Sequence, residues 1–301
     1  MTDMPRDLRD LNGQVAGLFL LGVLVGTATS FAVPVPTPKH FVWRVTSLLV
    51  PFYLVGSIHN LDPHDYPLPE VYRRAVSDSQ RLVFECDPRQ RDALARKFRE
   101  LAKYPSGQDI RSELRPTTVA LLQKNLWRFN RRFDDVRKYR PWAIALRLLT
   151  TRGLASASSP RSMDFYFISQ AQRAGKEMAG LETIDEHVAF WHEMLERDGE
   201  NLLLYTLARG KGVNDLFDQT RAAWKRGDVA ALSATNAGLR EANPGIAQRL
   251  LDLRNLKWVG RIEAEMKTGK PTAIVAGAGH FSGSRSVIEL LRKRGYKIEQ
   301  L

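Results

Sequence analysis

The sequence of 301 residues is poor in cysteine, in long apolar runs and in the short motifs that mark common hydrolases and nucleotide-binding proteins. Its one cysteine, Cys86, excludes an intramolecular disulfide and a zinc site built from several thiolates. Because Cys86 ends the largely apolar run of residues 82–86, we expect a small buried strand residue there rather than a nucleophile. Neither a Gly-x-Ser-x-Gly elbow nor a Walker phosphate loop is present, so any chemistry must use other side chains.

The longest apolar run lies close to the N-terminus and is short for a membrane span. Residues 15–25 form an apolar core of 11 residues, which suits a signal peptide, and extension to Val33 gives 19 residues, which suits an uncleaved anchor. Ser30 and Ala32 place small residues at a cleavage position, and a proline-rich spacer follows. We predict that residues 1–38 are a signal peptide or an N-terminal membrane anchor plus spacer. The predicted location is extracytoplasmic, either periplasmic or secreted.

Positive charge is in excess and is concentrated in one segment. The 45 Lys and Arg against 33 Asp and Glu give a net charge of +12, and eleven of the basic residues lie from Arg111 to Arg152. Leu121 and Trp127 are interspersed with them, which predicts a basic amphipathic helix. Such a helix presents either a solvated face or a contact surface for an anionic membrane or an acidic partner. Nucleic-acid binding ranks last, because export separates the protein from cytoplasmic nucleic acid.

Strand and helix patterns divide the chain into two β-containing ends and a helical middle. β-Branched and aromatic runs predict strands, and longer amphipathic stretches predict helices. The predicted strands are residues 41–45, 52–58, 81–86, 176–181, 272–276 and 296–300, and the predicted helical regions are residues 67–77, 88–151, 164–174, 183–269 and 284–293. This order predicts an α/β fold, with a single domain over residues 39–301 and a helical insert at about 88–160. Its central sheet is mixed, largely parallel and built from both chain ends.

Two Gly-x-x-His tetrads close strand-like runs near opposite ends of the chain. The first begins at Gly56 and ends at His59, and the second begins at Gly277 and ends at His280. A glycine at a strand end allows a sharp turn, so each imidazole lies in the loop beyond the sheet edge. Because ligands of open α/β sheets bind beyond the carboxyl ends of the strands, the two histidines are expected to meet at one site.

Two glutamates occupy comparable positions at or near strand ends, Glu85 and Glu182. Imidazoles and carboxylates are the ligands of a catalytic divalent metal that keeps an open position for water. With a spare carboxylate as general base, such a site would hydrolyse an amide or an ester. A purely structural role for each histidine is the alternative that spacing leaves open.

Other candidate motifs fail on their spacing. The glycines from Gly277 to Gly283 resemble a dinucleotide fingerprint, but Ser282 occupies the place of the third glycine. His187 and His192 are five residues apart and therefore do not share a helix face, as the histidines of a zinc-binding helix must.

Several blocks, taken together and in order, resemble the TraB/GumN family, which is related to the Tiki metalloproteases and more distantly to the erythromycin-esterase and haem-binding ChaN group. The blocks lie at residues 43–45, 53–59, 66–70, 82–85, 163–164, 180–183, 254–258, 276–281 and 294–296. The match covers residues 41–301. Departures are mild, such as Ser57 where threonine is common in the family.

The resemblance implies a metal-dependent hydrolase, of peptidase type, that uses Mn²⁺ or Co²⁺, with Zn²⁺ as a further option, and acts on a peptide or small-molecule substrate. Carried over by position, the implied ligands and functional residues are His59, Glu85 and His280 as metal ligands, Glu182 as a further ligand or general base, Arg254 as an oxyanion stabiliser, and Gly56, Asp164 and Gly277 as residues that line the site. The alternative is a non-catalytic protein that binds a peptide or haem on the same scaffold.

Overall fold

The computed structural model describes residues 38–59, 61–151, 162–209, 212–242 and 244–301. The strands are β1 Val42–Val45, β2 Phe52–Ser57, β3 Arg81–Cys86, β4 Glu177–Glu182, β5 Thr272–Gly277 and β6 Ile298–Gln300. The α-helices are α1 Glu70–Ser77, α2 Arg91–Leu101, α3 Pro116–Asn125, α4 Phe133–Val136, α5 Pro141–Thr151, α6 Met163–Arg173, α7 Ile184–Arg209, α8 Gly212–Lys225, α9 Val229–Ala242, α10 Pro244–Ala247, α11 Arg254–Lys267 and α12 Val287–Lys293.

The described strands form one mixed sheet in the order β4-β3-β5-β2-β1-β6. β5 pairs in parallel with β2 on one side and with β3 on the other, and β3 pairs in parallel with β4. β1 is antiparallel to both β2 and β6. The predicted α/β fold, with a mixed and largely parallel sheet assembled from both chain ends, is confirmed.

The central strands are buried along nearly their whole length. All six residues of β2 and the first five of β5 are buried, as expected for strands covered on both faces. Helix α1 packs on β1 and β2, and helix α11 packs on β4 and β5. This cover makes the carboxyl edge of the sheet the accessible end of the central strands.

The helical middle has an apolar core of its own. Ile144 and Leu148 of α5 pack with Leu203 and Leu207 of α7, and α2 packs on the same long helix. The predicted helical character of this region is therefore confirmed for the residues that the structure describes. The serine-rich stretch at residues 153–160, predicted as a loop, lies outside those residues.

The basic segment from Arg111 to Arg152 is not the one helix that its pattern predicted. Asn130 adopts a left-handed conformation (φ 54°) that ends the 3₁₀ turn Leu126–Phe129, and α4 and α5 begin anew after it. Several of its arginines form ion pairs, among them Arg111 with Asp109 and Arg137 with Asp109 and Asp134. Trp127 is 76% exposed beside them. Contact of this segment with a membrane surface stays a prediction.

The predicted location needs correction. Within the described ranges, no helix has both the length and the apolar character needed to cross a membrane. The longest, α7, has 26 residues but carries acidic residues from its first turn onward. A membrane anchor is therefore not supported, and the extracytoplasmic location inferred with it is withdrawn. The apolar segment on which both predictions rested, residues 1–37, lies outside the described residues.

Gly180 of β4 allows β4 to approach the end of β3 closely. A Cβ atom at this position would lie 2.4 Å from the Asp87 amide nitrogen and 2.8 Å from the Cys86 carbonyl carbon. Both neighbours are backbone atoms and cannot move aside as a flexible side chain can. The ends of β3 and β4 therefore depend on the absence of a side chain at residue 180.

We predict that Gly180→Ala lowers the free energy of unfolding by about 1–3 kcal/mol, because the added methyl group forces the two strand ends apart. Urea denaturation of the purified variant measures the loss. Gly260→Ala is the matched control, since nothing lies within 4 Å of its Cβ position in α11 and alanine favours a helix. Equal stability of the two variants would contradict the close approach at Gly180.

Candidate functional site

The two Gly-x-x-His tetrads lie side by side on neighbouring parallel strands. Gly56 is in register with Ala276, and Ser57 is in register with Gly277. A Cβ atom on Gly56 would lie 3.2 Å from Ala278, so the first glycine of one tetrad packs against the other tetrad. Both histidines therefore leave the sheet at the same edge.

Parallel pairing brings the predicted glutamates to that edge as well. Glu85 is the fifth residue of β3, Glu182 is the last residue of β4, and His280 lies in the 3₁₀ turn after β5. Glu85 Oε1 accepts a hydrogen bond from the Gly277 amide at 2.9 Å and lies 3.9 Å from His280 Nε2. The structure therefore brings Glu85 and His280 together at this edge, with Glu182 at the end of the neighbouring strand β4.

Arg254, at the start of α11, stands between these groups. Its Nε and Nη2 donate to the two oxygens of Glu182 at 2.8 and 3.0 Å, and Nη2 also donates to Glu85 Oε2 at 2.6 Å. Its Nη1 lies 3.3 Å from His280 Nε2. The Arg254 side chain is 5% exposed. A π-helical turn, Gln248–Leu253, precedes it directly, and such turns are frequent at functional sites.

Glu182 has all of its hydrogen-bond capacity in use. Oε1 accepts from Arg254 and from Trp258 Nε1 at 2.8 Å, and Oε2 accepts from Arg254 and contacts His187 Nδ1 at 2.7 Å. Trp191 Nε1 in turn donates to His187 Nε2 at 2.9 Å. A carboxylate with four partners is a fixed anchor, and a role as a metal ligand or general base would require it to give up one of them.

The electrostatics keep both glutamates ionised. Burial would raise the pKa of Glu85, but Arg254, His280 and the Gly277 amide lower it well below its usual range. Burial would likewise raise the pKa of Glu182, but His187 and Arg254 outweigh that effect and hold the pKa at about 2. Two carboxylates against one guanidinium leave an excess of negative charge, which favours a bound cation.

His280 is held in the tautomer that a metal ligand needs. Its Nδ1 lies 2.6 Å from Asn255 Oδ1, and because an amide oxygen only accepts, Nδ1 carries the proton. Nε2 therefore keeps its lone pair, on the side of Glu85. The ring packs on Trp258, with 4.3 Å between centroids. Burial lowers the pKa of His280 to about 4, so the ring is neutral.

His59 lies beside Asp164. Its Nδ1 is 3.0 Å from Asp164 Oδ2, and Ser57 Oγ donates to Asp164 Oδ1 at 3.1 Å. Burial lowers the pKa of His59, but Asp164 and then Glu85 raise it above its ordinary value overall. The Nδ1–Oδ2 contact has ion-pair distance without hydrogen-bond geometry, so within the described chain both buried atoms lack a hydrogen-bond partner. A proton or a cation here would satisfy them.

A cavity of about 280 Å³ opens at this side of the site. Its lining residues include Ser57, His59, Asn236, Gly277 and Gly279. Gly277 is also the residue whose Cβ position lies 3.4 Å from Glu85 Oε1 and 3.7 Å from the His280 ring. The absence of a side chain at Gly277 therefore leaves Glu85 and His280 close to the cavity that His59 lines.

Cys86, Glu182 and His187 form a second group with the composition of a metal site, since one ligand atom from each lies within 4.8 Å of the others. However, the nitrogens and oxygens of Glu182 and His187 are already hydrogen-bonded, as described above. Burial, with Glu182 and Glu85, raises the pKa of the half-buried Cys86 thiol to about 12, which disfavours the thiolate. Among the described residues, the ligand atoms of His59, Glu85 and His280 do not all lie within that distance of one another.

Three residues of the site were not predicted from the sequence: Asn255, Trp258 and His187. Asn255 and Trp258 follow Arg254 at spacings of one and four residues, so helix geometry places Trp258 on the same face of α11. His187 lies five residues after Glu182, one turn into the helix that follows β4, and this position is the sequence signal for its contact with Glu182.

Fold and site together define a class: α/β proteins in which two Gly-x-x-His motifs on adjacent parallel strands flank a buried glutamate. The chain belongs to the TraB/PrgY/gumN family, whose sequence profile matches residues 41–300. The resemblance seen in the sequence blocks is thereby confirmed.

Two curated proteins are distant relatives. The chain is 22% identical to Metalloprotease TIKI2 of Danio rerio over 317 residues, which cover 86% of this chain and 60% of that protein. It is 22% identical to Metalloprotease TIKI1 of Danio rerio over 314 residues, which cover 86% of this chain and 62% of that protein. The chain thus spans about three-fifths of the length of these relatives. No solved structure matches the chain.

We predict that Glu182→Gln lowers the free energy of unfolding by about 3–5 kcal/mol, because it leaves the buried Arg254 guanidinium without its bidentate partner. Urea denaturation followed by circular dichroism measures this loss. Glu177→Gln is the control, since Glu177 is 51% exposed and its ion pairs with Arg81 and Lys270 are at the surface. A Glu182 variant as stable as the control would show that Arg254 does not depend on this carboxylate.

Proposed function

We propose that the protein is a metal-dependent hydrolase of peptide bonds, with His59, Glu85 and His280 as the metal ligands. The observation that carries the proposal is the shared arrangement of the two histidines. Each has Nδ1 facing a side-chain oxygen, of Asp164 or of Asn255. This is the supporting arrangement found around metal-binding histidines in proteins. His280 Nε2, which lies 3.3 Å from Arg254 Nη1, would exchange that contact for a bond to a metal.

The available donors suit a divalent ion. Imidazole is a borderline ligand and carboxylate a hard one, and a set of two imidazoles and one carboxylate binds Mn²⁺, Co²⁺ or Zn²⁺ and leaves coordination positions open. The excess negative charge of Glu85 and Glu182 over Arg254 favours a cation. A divalent ion bound here would polarise a peptide carbonyl and lower the pKa of water. Membership of the TraB/PrgY/gumN family and the metalloprotease relatives support the same class of reaction.

Arg254 has two roles in this proposal. It holds Glu85 ionised and in place, and it fixes Glu182 as the anchor of α11. Its Nη1, near His280 Nε2, presents a positive charge where an oxyanion would develop on the carbonyl under attack. Glu182 serves as the anchor rather than as the general base, because its oxygens are fully engaged.

One observation favours a second candidate, a non-catalytic protein that binds a ligand on the same scaffold. Arg254 itself is a cation in contact with both Glu85 and His280, so it can substitute for a metal in neutralising Glu85. On this alternative, ligand binding survives chelation, and no peptide or ester is turned over.

Removal of either tetrad histidine tests the metal. We predict that the wild-type protein binds about one divalent ion per chain, and that His59→Ala and His280→Ala each abolish this binding together with peptide hydrolysis. Elemental analysis after dialysis against Mn²⁺, Co²⁺ or Zn²⁺ measures the stoichiometry. His64→Ala is the control, because His64 is an exposed residue of the same loop region. If His59→Ala and His280→Ala both still bind about one metal ion per chain, the proposed metal ligands are wrong.

Asp164→Asn tests the support of His59. An amide keeps the shape of the carboxylate but removes the charge that faces Nδ1, so we expect metal affinity to fall by about 10–100-fold. Titration with a metal-sensitive dye measures the affinity, and thermal unfolding checks that the fold is intact. Asp185→Asn, at a carboxylate that is 84% exposed, is the matched control. Unchanged affinity in Asp164→Asn would assign Asp164 to a structural role.

A further inference from the structure

A second cavity, of about 550 Å³, lies next to the candidate metal site. Asn236 lines both this cavity and the one that His59 lines. Ser282, also in its lining, is two residues from His280 and accepts a hydrogen bond from Asn236 Nδ2 at 3.1 Å. The two cavities therefore meet at Asn236, and a ligand beside His59 can extend towards the second cavity.

This cavity carries a net positive charge. Among the described residues that line it, the ionisable ones are Arg240, Asp252 and Arg285. Asp252 is 3% exposed and binds Arg240 through both oxygens, at 2.8 and 2.5 Å. One Asp252 oxygen also accepts from Arg285 Nη1 at 3.1 Å. One carboxylate thus neutralises only one of two guanidinium groups.

Arg285 is the group available to a ligand. Its side chain is 66% exposed, and its contact with Asp252 uses Nη1 alone. A guanidinium has five N–H donors in a planar fork, so Nε and Nη2 remain suited to a carboxylate. The rest of the lining adds hydroxyl and amide groups from Ser233, Asn236 and Gln248.

The position of Arg285 is tied to the metal site through the main chain. Asn255, whose side-chain oxygen orients His280, donates from Nδ2 to the Arg285 carbonyl oxygen at 2.9 Å. One side chain therefore fixes both the candidate ligand His280 and the backbone that carries Arg285. The backbone from which the Arg285 side chain extends is therefore tied to the residue that orients His280.

We propose that this cavity is a substrate subsite in which Arg285 binds a carboxylate of the peptide, from an acidic side chain or the C-terminus, close to the bond that is cut. The inference rests on the proposed peptidase function for the identity of the substrate. The net positive charge disfavours basic side chains. The subsite thus selects acidic peptides.

The experiment compares matched peptides on matched variants. A series of decapeptides carries one Glu at successive positions, and a second series carries Gln at the same positions. With the metal-loaded wild-type protein, we expect the kcat/KM of the Glu peptide to exceed that of the matching Gln peptide by about tenfold at one position. A hydrogen bond between charged groups has an effect of this size. Arg285→Gln removes this preference. Arg292→Gln removes the same charge from the nearby helix α12, outside the cavity, and keeps the preference.

A binding measurement separates the subsite from the hydrolase. The same peptides are titrated by calorimetry onto the full chain in the presence of a chelator. Tighter binding of Glu than of Gln, lost in Arg285→Gln, supports the subsite even where no peptide is cleaved. The subsite is overturned if the Glu and Gln peptides are cleaved at equal rates at every position, or if the Arg285 and Arg292 variants show the same preference for Glu. Either result leaves the proposed hydrolase function unaffected. If the protein neither binds nor cleaves any of the peptides, both the subsite and the proposed hydrolase function are overturned.

Discussion

The buried ion pair of Arg254 with Glu182 and Glu85 is the interaction on which the site depends. A guanidinium that is 5% exposed carries a large desolvation cost, and its two carboxylates are the charges that offset it. Those carboxylates belong to β3 and β4, whereas Arg254 belongs to α11, so one charge network joins three elements that are distant in sequence. Because such a network is costly when incomplete, it specifies how α11 sits on the sheet edge. The orientations of Trp258, Asn255 and thus His280 follow from it.

Most of the architecture could be predicted from the sequence, because buried strands and amphipathic helices differ in hydrophobic period. The runs at residues 52–58, 81–86 and 272–276 were expected as strands, and the structure has β2, β3 and β5 there. The order of the strands was not predictable, since a buried apolar run says that a strand has neighbours but not which ones. The prediction of one helix for the basic segment was wrong because its pattern of charged and apolar residues continues across the helix breaks. A break such as the one at Asn130 depends on local backbone conformation, which that pattern does not show.

The candidate site could be predicted in part for the same reason. Glycine, histidine and glutamate at parallel strand ends are brought together by sheet geometry alone, as Glu85 and His280 show. Contacts made by helix residues can be predicted only when the position of the helix on the sheet is known, and tertiary packing sets that position. His187 and Asn255 therefore went unrecognised, although each touches a residue that was named. Arg254 was named, but its position between two glutamates followed only from how α11 docks.

The strand order also constrains how the protein is made. β2 and β3 are close in sequence, yet they never pair with each other, because β5 lies between them. A ribosome must therefore synthesise the whole helical middle region before the central pairing can form. Until then, the nascent chain presents two apolar strands with unsatisfied edges, which invite wrong pairing and aggregation. The separate core of α5 and α7 consists of contacts within the helical middle region, so this region can fold before β5 has been synthesised.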